Sequence, residues 1–263
     1  MALPDDATTR PLLPDTAGVP CDWIDADRAG LGAGVVVYVH GGGFVHSNPA
    51  SERVMAHRLS RATGRPALRV DYRLAPAHPF PAPLDDVVAV YRALLAQGVP
   101  ASRIVLAGES AGATLVLSAL LVLRDAGTAL PAGAVAASAL TDLTGSGPSL
   151  TANEGRDLLT GAVVGDVLPQ YLDGAAPDRA PQSPLHGDLR GLPPVLLPTG
   201  GDELFLDDAL RFAAAAAEAG TDASVDLYEG MPHVFHAAML VEDAPPTGRT
   251  FLARLRDWTA GLG

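Results

Sequence analysis

Short apolar runs alternate along most of this chain with longer stretches in which apolar positions recur every three or four residues. The short runs, at 35–39, 67–71, 104–107, 134–140, 195–199 and 224–228, have the length of strands, and most carry little polar interruption. The longer stretches, at 51–63, 84–97, 110–126, 207–219 and 248–260, have helical spacing. Gly98, Gly127 and Gly220 stand where a left-handed residue ends a helix, and Ser51 stands where an N-cap is expected. Strands with continuous apolar sequence are buried on both faces. The alternation therefore predicts a doubly wound α/β fold, a mostly parallel sheet with helices on both sides. Residues 1–18, rich in Pro, Asp and Thr and without periodicity, predict an irregular N-terminal arm ahead of one domain over 19–263. Between about 143 and 190 the pattern breaks into Gly, Pro, Asp and Asn, with a weak helical patch at 158–171. An insertion there, over the C-terminal edge of the sheet, would act as a lid or cap.

Composition narrows the picture. With 263 residues and 48% of them hydrophobic, the chain can bury a sizeable core. The net charge of −12 argues against nucleic acid and anionic membrane surfaces, which are bound through clustered basic residues. The single cysteine, Cys21, leaves no intrachain disulfide and permits a reducing compartment. The opening residues Met-Ala-Leu-Pro-Asp-Asp lack the basic and apolar segments of a secretion signal, so a cytoplasmic location is expected. The longest mainly apolar stretch, 113–123, is interrupted by Thr114 and Ser118 and falls short of the roughly 20 residues that span a bilayer; it is expected to be a core helix. No cofactor is implied, and a homodimer is left open.

The chemistry gathers around Gly108-Glu109-Ser110-Ala111-Gly112, where a buried strand runs straight into a helix with a serine on the turn. With 28 glycines and 11 serines such a spacing arises by chance about 0.1 times, so its neighbours decide what it is. A nucleophilic serine needs a base, an acid to orient that base, and donors for the developing oxyanion. His40-Gly41-Gly42-Gly43 follows the first strong strand, and its bare amides, with that of Ala111, can approach a substrate; a flexible glycine turn is the competing reading. Asp202, just past the strand at 195–199, is expected to be the acid, with Glu203 pointing elsewhere and Asp207 and Asp208 capping the next helix. His233, on the loop after the last strand, is the expected base. The order Ser110, Asp202, His233 is that of the α/β-hydrolases and of neither unrelated protease type. Asp142 competes with Asp202 but follows too directly on the nucleophile's own strand and helix. Asp71 and Arg73 are expected to fix their loop as a charged pair. His46, His57, His78 and His186 lack a comparable context, and His233 with His236 has no third ligand nearby for a metal, so none is expected.

His40-Gly-Gly-Gly-Phe44, Asp71-Tyr-Arg-Leu-Ala-Pro76 with His78-Pro-Phe-Pro-Ala82, the Ser110 pentapeptide, Asp202-Glu-Leu and His233-Val-Phe together resemble the hormone-sensitive-lipase-like branch of the α/β-hydrolases over roughly residues 30 to 240. The resemblance implies Ser110 as nucleophile, His233 as base, Asp202 as acid, and Gly42, Gly43 and Ala111 as oxyanion donors, with His40, Gly41 and Glu109 in support. It does not specify a substrate; a small-molecule ester or lactone is the expected partner. Three features depart from the pattern: few residues precede His40, predicting a reduced cap and a more open site; Ala77 stands where the family often has Glu; and Glu109 stands where Asp is commoner. The expected activity is hydrolysis of a small carboxylic ester. The alternatives are a lactonase, cyclase or acyltransferase working through the same acyl-enzyme, and a non-catalytic small-molecule receptor, which the presence of His233 disfavours.

Overall fold

Six of the apolar runs form strands of one sheet in the computed structural model, which describes residues 3–4, 7–9, 11–241 and 243–262. In chain order the elements are β1 (Cys21–Ile24), β2 (Val35–Val39), α1 (Pro49–Thr63), β3 (Ala67–Val70), α2 (Ala82–Ala96), β4 (Ile104–Glu109), α3 (Ala111–Asp125) and β5 (Gly133–Ala137). They continue with α4 (Ser149–Ala152), α5 (Gly161–Leu172), β6 (Val195–Gly200), α6 (Leu206–Glu218), β7 (Ala223–Tyr228) and α7 (Pro246–Ala260). The sheet order is β1-β3-β2-β4-β5-β6-β7, and every pairing is parallel except β1 with β3.

Alternation of side chains across the pleat divides the core into two layers. Val35, Val37 and Val39 join the layer that contains Leu84, Val87 and Leu117 of α2 and α3. Val36 and Tyr38 turn the other way, toward Met55 and Leu59 of α1 and Phe251 and Leu255 of α7. β2, β3, β5 and β6 are buried throughout, which accounts for their mainly apolar sequences; the charged exception, Arg69 of β3, is buried with its charge met by Asp22, Glu52 and Asp71. Full burial of each Val or Leu contributes about 1.5–3 kcal/mol, so these strands anchor the rigid edge from which the functional loops emerge. β7 closes the other side of the sheet with partly buried residues and an exposed Leu227, and its mixed Ser-Val-Asp-Leu pattern reflects that edge position.

Several local expectations change. α1 begins at Pro49, with Asn48 rather than Ser51 as N-cap; the Asn48 side chain accepts from Ser51 N–H at 3.4 Å, and proline at the first turn needs no partner for a missing N–H. Asp207 and Asp208 do not cap α6, whose N-cap is Phe205. They turn instead to the loop after β5: Asp207 accepts from Ser149 N–H, and Asp208 from Thr141 and Asp142 N–H. Asp71 and Arg73 do not pair with each other; Asp71 meets buried Arg69, and Arg73 forks onto Asp86 of α2. β1, a four-residue edge strand, has no counterpart among the predicted strands. Ahead of β2 the described residues hold no α-helix. The segment between β5 and β6 supplies the cap, in the form of α4, α5 and their loops. No helix among the described residues is long and apolar enough to cross a membrane.

Candidate active site

The site lies at the C-terminal ends of β2, β4, β6 and β7, where loops leave a parallel sheet. β4 ends at Glu109 and α3 starts at Ala111, leaving Ser110 between them at φ 51°, ψ −125°. That conformation costs a non-glycine residue about 1–3 kcal/mol and projects the hydroxyl away from the turn. The glycines make the turn sterically possible. A Cβ on Gly108 would overlap the carbonyl of Gly112, and one on Gly112 would overlap those of Val39 and His40.

Ser110 Oγ lies 2.9 Å from His233 Nε2, and His233 Nδ1 lies 3.0 Å from Glu203 Oε2. A carboxylate only accepts, so Nδ1 carries the ring proton and Nε2 is free to accept from the serine hydroxyl. Glu203 has no solvent exposure; its other oxygen accepts from Gly200 N–H at 2.7 Å. The Phe205 ring meets the His233 ring edge to face, with centroids 5.1 Å apart.

Glu203, and not Asp202, is therefore the carboxylate on His233. The Asp202 side chain faces outward, still 22% exposed, and pairs with Arg156 of the insertion. Neighbouring residues on the turn after β6 project to opposite sides. Its backbone is pinned against the base loop, where Asp202 N–H donates to Met231 O at 3.0 Å and a Cβ on Gly200 would overlap the same carbonyl. The two adjacent carboxylates both fit the chain order, and nothing in the local pattern says which one turns inward. Asp142 is occupied elsewhere, by Thr144, Ser146, His186 and Arg211. Burial works against its charge, but hydrogen bonds from Ser146, Thr144 and His186 prevail and hold its carboxyl well below the usual range.

His40 supports the glycine loop. Its ring stacks on Tyr72 at 4.2 Å and its Nδ1–H donates to Gly41 O at 2.7 Å, while burial lowers its basicity. Gly42 sits at φ 105° where a Cβ would overlap His46 O, and a Cβ on Gly41 would stand 3.2 Å from that of Ser110. Gly42, Gly43 and Ala111 line the same cavity as Ser110 and His233. Glu109 points beneath the elbow and joins Tyr38 OH at 2.7 Å to His236 Nε2 at 2.6 Å. Burial opposes its charge, but the hydrogen bond and charge of His236 and the bond from Tyr38 hold its carboxyl below the ordinary value. His233 and His236 thus serve different carboxylates and do not converge on a common point.

The cavity measures about 450 Å³. Its apolar wall comes from the insertion, through Leu159, Val163, Val164, Val167 and Leu168, with Phe205 from the acid loop. Asp157, which sequence reasoning did not single out, accepts from the backbone N–H of both His233 and Leu204 at 2.7 Å. An aspartate in an irregular insertion carries no local mark of such a contact.

A strained serine between strand and helix, with a buried His-Glu pair behind it at the ends of parallel strands, defines a hydrolase of α/β type. Comparison with known proteins agrees. Residues 36–237 match the family described as alpha/beta hydrolase fold. An acetyl-hydrolase of Streptomyces hygroscopicus is 44% identical over 202 residues, covering 76% of this chain and 68% of the relative. An esterase of Acinetobacter venetianus is 35% identical over 199 residues, covering 75% and 66%. The crystal structure of an esterase from the bacterial hormone-sensitive lipase family superposes with a TM-score of 0.93 at 41% identity, over 100% of this chain and 87% of that one. The chain belongs to the α/β-hydrolase family, in its hormone-sensitive-lipase-like esterase branch.

Proposed function

We propose that this chain, an esterase of the α/β-hydrolase family, cleaves small carboxylic esters through an acyl-enzyme on Ser110, with His233 as base, Glu203 as acid, and the amides of Gly42, Gly43 and Ala111 as oxyanion donors. The observation that carries the reading is the continuous hydrogen-bonded line from Ser110 Oγ through the imidazole of His233 to buried Glu203. As Ser110 Oγ attacks the ester carbonyl, its proton passes to His233 Nε2, and Glu203 stabilises the imidazolium through Nδ1–H. The carbonyl oxygen becomes an anion facing the glycine-loop amides and the N-terminus of α3; one such donor contributes about 2.7–4 kcal/mol to the transition state. Collapse expels the alcohol, which takes the proton from Nε2. Water then repeats the sequence on the acyl-enzyme and releases the acid.

The cavity size and its Val and Leu lining support a compact acyl group over a long one, as do the acetyl-hydrolase name of one relative and the soaking of another esterase crystal with p-nitrophenyl butyrate. The test is Ser110→Ala. Its turnover of p-nitrophenyl acetate is expected to fall by at least about 10³ with an unchanged melting temperature, and labelling by a fluorophosphonate is expected to vanish. A folded variant that keeps more than about a tenth of wild-type turnover would remove Ser110 from the mechanism.

A further inference from the structure

The insertion does more than wall the cavity, because its residues 149–157 are fastened to both loops behind Ser110. Ser149 Oγ donates to Leu204 O at 2.6 Å. The Asn153 amide, itself buried, donates to Glu203 O at 2.9 Å and to Gly201 O at 3.3 Å. Arg156 holds Asp202. Asp157 completes the strap. Its Oδ1 accepts from His233 N–H and from Leu158 N–H, and its Oδ2 accepts from Leu204 N–H. One carboxylate thereby joins the backbone of the base to the residue that follows Glu203.

We propose that Asp157 is a positioning residue that couples the cap to the triad by tying the His233 and Leu204 backbones to the insertion; this rests on the Ser110–His233–Glu203 reading above. Hydrogen bonds to a charged acceptor are about twice as strong as neutral ones, and these two set the distance between the loops. The base needs that support. Val234, the next residue, sits at φ 57°, a left-handed conformation that a β-branched side chain adopts only when its surroundings impose it. Its N–H is held by Ser138 Oγ at 3.2 Å, so side chains from two other segments hold successive amides of the base loop. Asp157 is not among the residues lining the cavity, so it acts on the imidazole and not on the substrate. α5, which supplies much of the cavity wall, begins shortly afterwards at Gly161. The cap and the backbone of the base are therefore tied together through one carboxylate.

The experiment compares wild type, Asp157→Asn and Asp157→Glu with p-nitrophenyl acetate, each rate being divided by the sites titrated with a fluorophosphonate. Asp157→Asn sets an amide against one of the two N–H groups; Asp157→Glu keeps the charge but displaces it, and serves where the first variant folds poorly. The expected result is a kcat per titrated site lowered about 10- to 100-fold with KM within about twofold, the pattern of a displaced base and an intact binding cavity. A kcat per site within about twofold of wild type in both variants would overturn the proposal and leave the triad reading standing. Wild-type protein that takes no label at Ser110 would overturn the triad reading itself, and the proposal with it.

Discussion

At Glu203 a fully buried carboxylate holds the imidazole proton, while one residue earlier Asp202 holds a surface arginine. The two side chains differ by a methylene group and by a turn of the backbone, yet their substitutions are expected to separate by orders of magnitude. Glu203→Gln keeps the shape but can present an N–H where Nδ1–H needs an acceptor. By analogy with the serine-protease acid, kcat is expected to drop about 10⁴. Asp202→Asn breaks a partly exposed ion pair worth roughly 0–1 kcal/mol, so kcat should stay within about threefold of wild type. Steady-state kinetics on the two folded variants decides the matter; a larger loss in Asp202→Asn would return the acid to that position. Glu109, beside Ser110, is a different case. An unpaired buried carboxylate there would oppose the oxyanion of the proposed mechanism, and its contact with His236 supplies the compensating partner.

α6 shows how a helix terminus acts beyond its own helix. In its first turn Asp208 is 1% exposed, with Oδ1 accepting from the Thr141 and Asp142 amides while Oδ2 is buried without a hydrogen-bond partner. Burial, together with the nearby charge of Asp142, raises its carboxyl to about 7. A folded-state value above the unfolded one means that the folded protein binds the extra proton. The stability tied to that proton is complete below the ordinary carboxylate value of 3.8 and is lost as pH rises toward about 7. Asp208→Asn retains an acceptor oxygen and cannot ionise. Relative to wild type it is expected to gain thermal stability as pH is raised from about 5 to about 8, the range over which the wild-type carboxyl, ionised in the unfolded chain, loses the proton it holds in the folded protein. Melting temperatures of both proteins at the two pH values test this, and a difference that does not change with pH would place the titration elsewhere.

Across the whole molecule, the parts legible in the sequence are those fixed by local geometry. The continuous apolar runs at β2 and β6 could only be doubly covered strands, and Gly108 and Gly112 announce a turn too tight for side chains. The placement of His233 against Ser110 was legible because one late loop carried a histidine in a suitable setting. Glu203 was not, since which of two neighbouring carboxylates faces inward depends on how the β6 turn packs against Met231. β1 was not, since four mixed residues become a strand only when β3 offers an edge. Asp157 depends on contacts with two loops far along the chain. The insertion that carries Asp157 reaches both of those loops and also lines the cavity beside Ser110. One helix and its preceding loop provide much of the apolar wall of a cavity of about 450 Å³, with Phe44, Leu140 and Phe205 adding the rest, so acyl carbons are expected to add affinity only while they lie against that wall. Each buried methylene is worth about 0.8 kcal/mol, close to a fourfold gain in kcat/KM. In a series of p-nitrophenyl esters the gain is expected over the first few carbons beyond acetate and should then flatten, as further carbons project past Val163 and Leu158 toward solvent, where both side chains are already exposed. If kcat/KM kept rising by the full increment beyond about ten carbons, the acyl chain would have to be enclosed along its whole length, and a cap of this size would not suffice.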